Sequence, residues 1–381
     1  MKKLFLVLLL TTGFIFPQKI IQFDYVGEFN EGMCPVKKDN KWGFIDVSGN
    51  VVVEPKYGEV YGVYPKYING LCLVKKSDEN KWGFIDKTGN EVIPLKFYSA
   101  TSFYDIVAAS YTPADAKNAN THARWRIIDR KGEILVDDAG NDHSYQTIVK
   151  EGRMGIKRGL GKEGGFKILY GFVDVKGKDV IPVKFQEVRD FSEGLAAVKL
   201  NDKWGFIDTL GNTVIDFQFT EEPMPFSNGR TFVKGTNYKF GLLDKTGKLL
   251  VEPTYKQVFP FNDGVATVSI MDDNYQTTFS IIDLNGKPVK AYKPTGKDKD
   301  IITFHSGFSE GLAVAQRGYA YEFGFIDAKG KVAIDYKFNQ LKPFNSGLAY
   351  AETYNKKDNK TTKGFIDKKG KFVILIEKRM F

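Results

Sequence analysis

Nine aspartates, each followed three positions later by glycine, are the residues whose repetition in this chain could do chemistry. The aspartates stand at 46, 86, 129, 174, 208, 244, 283, 327 and 367, and the glycines at 49, 89, 132, 177, 211, 247, 286, 330 and 370. A carboxylate repeated beside glycine suggests calcium, but an EF-hand-like loop needs oxygen ligands at alternating positions. The intervening pairs here include Val47-Ser48, Lys87-Thr88, Arg130-Lys131 and Thr209-Leu210, which point to hairpin turns instead. The three histidines, His122, His143 and His305, share no metal-ligand spacing with one another or with cysteine. The run from Gly159 to Gly165 lacks the Gly-Lys-Ser/Thr ending of a phosphate loop and lies between strands rather than before a helix. No Gly-x-Ser-x-Gly elbow occurs. The expectation is therefore a non-enzymatic chain without catalytic, cofactor-binding or metal-binding residues.

Aromatic side chains could do a different chemistry, stacking on sugars. One position, four residues before the turn aspartate, holds Trp42, Trp82, Trp125, Tyr170, Trp204, Phe240, Phe279 and Phe323 in eight copies and Lys363 in the ninth. All four tryptophans of the chain sit there. In Trp204-Gly205-Phe206-Ile207, strand alternation puts Trp204 and Phe206 on one face and Ile207 on the other. Replacement of tryptophan by phenylalanine fits packing between units better than a shared sugar contact. The following glycine is expected to admit a neighbouring ring or backbone at close range. Two cysteines, Cys34 and Cys72, occupy equivalent positions of adjacent units, where other units carry Ala196, Thr231, Ala266, Ala313 and Ala349. This small slot implies close packing, with the cysteines either buried thiols or a disulfide if their Cα atoms come within about 7 Å.

The elements that must position these residues are read best from residues 191–219. Leu195 to Leu200 reads as one strand and Lys203 to Asp208 as a second, joined by Asn201-Asp202, whose residue types tolerate the positive φ of a primed turn. Asp208-Thr209-Leu210-Gly211 turns the chain into a third strand from Thr213, and a short apolar segment over residues 185–191 precedes the unit as a fourth. Such a four-stranded antiparallel meander is too small to bury its own faces, and it needs neighbours on both sides.

Lys-Trp-Gly-Phe-Ile-Asp-x-x-Gly, preceded by Phe-Ser-Glu-Gly-Leu-Ala, resembles the WG-containing repeat (KWG repeat) found in bacterial proteins. The resemblance covers residues 29–375 and weakens at Trp125-Arg126, Phe279-Ser280 and Lys363. It implies an all-β tandem array and no particular activity. Successive aspartates are 34 to 45 residues apart, so residues 19–381 form a single array of about nine units. Residues 21–29 align with residues 183–191, while the last unit ends on its third strand. A spare segment at one end and a missing one at the other favour a closed, propeller-like ring, since pairing the termini removes exposed edges. An open superhelical or solenoid array is the alternative. Loop-forming runs at residues 112–124, 159–167 and 290–305 interrupt the regular pattern, either adding specificity or drifting without use.

Met1-Lys2-Lys3, the apolar run Leu4 to Leu10 and Thr11-Thr12-Gly13 read as a secretory signal peptide over residues 1–18. No later stretch has the apolar length of a membrane span. The expected product is secreted, periplasmic or at the cell surface. The net charge of +9 is spread over many lysines, such as Lys37-Lys38 and Lys75-Lys76, which fits a solvated surface. Nucleic acid is not expected as a partner. The function expected is an exported binding scaffold for a protein or cell-envelope polymer. A carbohydrate-binding module is the alternative, and an enzyme with its site in the divergent units a remote one.

Overall fold

The computed structural model describes residues 18–59, 64–101, 103, 108–112, 124–137, 144–145, 149–162, 165–295, 297, 301–319 and 321–377. These residues contain nine sheets and no helix, hence no helix long and apolar enough to cross a membrane. The unit over residues 187–219 shows the plan. Glu187–Val188, Leu195–Leu200, Lys203–Asp208 and Thr213–Phe219 pair antiparallel in chain order. Asn201 and Asp202 take φ of 50° and 61°, the left-handed pair a tight hairpin needs.

Both middle strands are buried on both faces, because each sheet is sandwiched between two others. Ala196, Val198 and Ile207 pack with Phe172, Ile181 and Phe185 of the preceding unit, whereas Ala197, Trp204 and Phe206 pack with Phe226 of the next. The alternation read in Trp204-Gly205-Phe206-Ile207 is thus a division between two seams. The third strand is mostly exposed and contributes Ile215 alone to the core. Nine hydrophobic clusters occupy the nine seams in order, and the last joins Leu348, Phe365 and Ile374 to Ile21, Phe29, Cys34, Val36 and Ile45. The array is a closed ring, a β-propeller.

Closure differs in one respect from the expectation. The last unit already has its four strands, from Gln340–Leu341 to Phe372–Glu377. The N-terminal strand Lys19–Gln22 does not fill a vacancy but adds a parallel fifth strand beside Phe372–Glu377. The physical gain is the one anticipated, since an exposed strand edge is paired.

Glycine after the aromatic serves the unit's own third strand. Trp204 pairs with Phe219 and Phe206 with Ile215, so two extra residues of the third strand bulge toward Gly205. A methyl group on Gly205 would stand 2.7 Å from the Ile215 carbonyl oxygen. In unit three Arg126, and in unit seven Ser280, replace this glycine and pair one-for-one with Asp137 and Ala291, without that bulge. Unit six departs in another way. Its sheet has three strands: the short first strand does not form around Pro223 and Pro225, where Met224 alone keeps its amide bond to the Phe232 carbonyl. Unit eight enlarges the same strand to Ile302–Ser309, so part of the run expected as a polar insertion is sheet. Residues 159–162 and 165–167 pair in an extended hairpin out to Lys162 and Gly165, as expected. Most of the run at 112–124 lies outside the described residues.

Gly205→Ala forces the third strand away and is expected to cost about 1–3 kcal/mol in urea unfolding, as overpacking of a filled site does. Ser280→Ala, where no bulge crowds the position, is expected to cost less than Gly205→Ala in the same measurement.

Candidate functional site: two unlike faces of the ring

Strand direction sorts the turns onto two ends of the ring. The Asp-x-x-Gly turns and the Glu-Gly turns that open each first long strand lie at one end, and the tips between the two long strands lie at the other.

At the first end, side chains are committed to the ring itself. Every one of the nine turn aspartates accepts two backbone N–H groups through Oδ1, from the residues two and four positions on. Each following glycine has φ between 72° and 89°, which a Cβ would strain. These turns are hairpins, and the described residues hold no cluster of three or more metal-ligating side chains. The Thr88 hydroxyl beside Asp86 and the Asn212 amide beside Asp208 hold those carboxyls below the usual carboxylate range.

A second belt joins unit to unit. Glu31 accepts from the amides of Asn69 and Gly70 at 2.6 and 2.8 Å, Glu151 from Gly194 at 2.8 Å and Glu193 from Gly229 at 2.8 Å. Asn228 accepts from Gly264 at 2.8 Å, Asp263 from Gly311 at 2.9 Å and Glu310 from Gly347 at 3.0 Å. Ser346 of the last unit accepts from Gly32 of the first at 2.8 Å, across the seam where the ring closes. Behind it, Ser192 donates to the Phe226 carbonyl, Ser227 to Phe261 and Ser309 to Phe344, at 2.6–2.7 Å. The serine and glutamate of Phe-Ser-Glu-Gly are therefore the fasteners between neighbouring sheets.

The repeated aromatic position is core. Trp42 and Trp204 are buried; Trp82, Tyr170, Phe240, Phe279 and Phe323 are half-buried. The side chain of Trp125 lies outside the described residues. Lysine across the strand pair covers the ring in several units, with Lys37 5.5 Å above Trp42, Lys199 6.0 Å above Trp204 and Lys234 5.4 Å above Phe240. Part of the scattered positive charge is thus a lid over aromatic faces. Cys34 and Cys72 are both free and buried, in different seams, and no disulfide joins them. Burial pushes both thiols up.

His122 and His143 lie outside the described residues, while His305 Nε2 stands 2.8 Å from Gln316 Oε1 and edge-on to Phe323. A cavity of about 140 Å³ opens where unit six lacks its first strand, lined by Arg189, Asp190, Phe206, Glu222 and Pro223 among others. Arg189 is clamped there by Glu222 at 2.7 and 2.5 Å and lies 4.8 Å over the Trp204 ring. Pro223 and Pro225 were the sequence signal for this opening. The other end of the ring carries the exposed tips, whose tyrosines the repeat pattern alone does not single out.

Residues 21–42, 42–79, 82–105, 170–204, 204–239, 240–275 and 323–356 match the family model described as WG containing repeat. The chain belongs to this family. The WG segments that go unmatched include those with Arg126 and Ser280 in place of the glycine. Comparison of the sequence with curated proteins finds no match. Solved structures similar to this WG-repeat ring include apo AztD from Citrobacter koseri, at 11% identity and TM-score 0.35, covering 84% of this chain and 95% of that one. Hsv2 from Kluyveromyces lactis is similar at 11% identity and TM-score 0.30, with 90% and 98% covered. The dihydro-heme d1 dehydrogenase NirN in complex with DHE is similar at 12% identity and TM-score 0.36, with 91% and 73% covered. At such values nothing these proteins do transfers to this chain.

Two measurements check this description. Iodoacetamide is expected to leave Cys34 and Cys72 unmodified in the native ring and to label both in denaturant. The folded-state pKa of Asp208 is lowered, so its contribution is present above the unfolded carboxylate value and is lost as pH falls through the folded one. The gap in thermal midpoint between wild type and Asp208→Asn is expected to narrow from about pH 5 to about pH 2.

Proposed function

We propose that this WG-repeat protein is an exported, non-catalytic binding scaffold that engages a protein or cell-envelope polymer through the hairpin tips on one end of its ring. What supports the reading is the contrast between the two ends. At one end, carboxylates and hydroxyls are spent on nine turns and on the belt between units. At the other, the tips range from the two-residue Asp39-Asn40 and Asn201-Asp202 to the longer 76–81, 235–239, 272–276, 318–322 and 356–359. A rigid repeated frame with variable loops on one side is the arrangement in which binding residues can change without loss of the fold. The basic, apolar N-terminal run supports export. The carboxyls whose pKa is shifted, including Asp86, Glu187 and Asp208, are shifted downward, the opposite of a general acid held protonated.

The test is retention by the cell envelope. Purified wild-type protein is expected to be retained by a washed envelope fraction. A variant in which the tips at 235–239, 272–276, 318–322 and 356–359 are each replaced by Asn-Asp is expected to fold and pass through. Equal retention of both, or of neither, sinks the reading.

A further inference from the structure

Four consecutive units, six to nine, carry exposed tyrosine rings at their tips, and the short tips of units one and five carry none. Tyr238 is 73% exposed, Tyr275 82%, Tyr319 72%, Tyr321 75% and Tyr354 45%. The four rings more than 70% open to water, Tyr238, Tyr275, Tyr319 and Tyr321, bury little of their apolar surface in the fold, so the fold alone gives no reason for them. Two of them are also set in an unfavourable backbone. Tyr238 and Tyr275 both have φ of 60°, the left-handed conformation that Asn40 and Asp202 occupy in the short tips at 62° and 61°. Asparagine and aspartate adopt it readily, but a bulky side chain does so at a cost. Tyrosine thus stands where the turn itself favours a small polar residue.

The surroundings of the rings define what could cover them. A protein partner calls for a continuous apolar patch around its anchors. Of the asparagines around them, Asn237 is bonded to the Pro253 carbonyl and the Lys239 amide, and Asn355 to Asp358 and the Lys357 amide. Among the described residues no leucine, valine, methionine or phenylalanine is exposed on these tips, and Ile270 stands exposed just ahead of segment 272–276. Charge adds a second constraint. The protein carries +9, yet segments 235–239, 272–276, 318–322 and 356–359 hold three cationic and four anionic side chains between them. A strongly charged polymer finds no complementary field there. Separate aromatic faces and almost no net charge match an uncharged chain of sugar rings, whose C–H faces lie on aromatic rings.

We propose that the tips of units six to nine form a binding surface for a neutral glycan polymer, with Tyr238 and Tyr275 as stacking platforms. This rests on the reading of the tip end as the binding end. It moves the sugar-stacking role from the repeated tryptophan position, which is core, to tyrosines outside the repeat pattern.

The test uses the full mature chain against cellulose, chitin, xylan, mannan and dextran, in pull-down with the insoluble and affinity electrophoresis with the soluble polymers. The double variant Tyr238→Asn, Tyr275→Asn removes two rings and places at both sites a residue suited to the left-handed backbone. Wild type is expected to bind at least one of these glycans. The variant is expected to bind it about tenfold more weakly while its thermal midpoint stays level or rises. Failure of wild type to bind any of the five, or equal binding by the variant, overturns the proposal. If the glycans are ignored while the four-tip replacement still abolishes envelope retention, the glycan assignment falls and the scaffold reading stands. If retention is also unaffected, both fall.

Discussion

In six of the nine seams the ring is held by a contact between the phenylalanine of one unit's second long strand and an aromatic ring of the next unit. Ile127, Leu242 and Ile281 stand in its place in the other three. Phe44 meets Tyr67 at 4.9 Å between centroids, Phe84 meets Phe103 at 4.5 Å, Phe172 meets Phe191 at 5.0 Å and Phe206 meets Phe226 at 5.0 Å. Phe325 meets Phe344 at 4.6 Å, and Phe365 of the last unit meets Phe29 of the first at 4.7 Å. Edge-to-face or tilted pairs of this kind add about 0.5–1.5 kcal/mol each beyond the area they bury. A single four-stranded sheet has two apolar faces and no means of covering either. The repeat supplies both covers, and closure removes the last two uncovered faces.

Within that frame each motif residue has one physical task. Small residues such as Cys34, Cys72 and Ala196 let the preceding unit's side chains approach. Turn glycines face backward too: Gly211 lies against Ile181 of the unit before, and Gly49 of the first unit against Ile374 of the last. Serine and glutamate of the opening turn reach forward into the next unit. The ring is therefore joined by packing at every seam, and among the described residues by directed hydrogen bonds at most of them. Little of this end is left over for a ligand, which is why recognition is assigned to the opposite end.

The irregular units show which departures the frame accepts. Where arginine or serine replaces the glycine at 126 and 280, the third strand gives up its bulge and the sheet persists. Around the prolines at 223 and 225 the short strand does not form, a cavity opens instead, and Met224 still bonds to Phe232 through its amide at 3.0 Å. These outcomes were hard to read beforehand because a bulge involves two strands at once. The motif on one strand does not say how its partner shortens. Likewise the N-terminal segment could be aligned with a strand end, but its parallel pairing beside residues 372–377 depends on where both chain ends arrive in space.

By itself the sequence determined the unit, its count, its turns and the burial of its aromatic position. Those follow from local rules: alternation along a strand, glycine where φ must be positive, and aspartate where a turn's own amides need an acceptor. Only the tertiary structure decided that the array closes, that Cys34 and Cys72 fall in different seams, and that the Phe-Ser-Glu-Gly residues bond around the circle. It also decided which tyrosines stay in water. Closure is a sum of nine small rotations between sheets, and such a sum is invisible in any one repeat. Exposure, likewise, is set by what the neighbouring units leave uncovered.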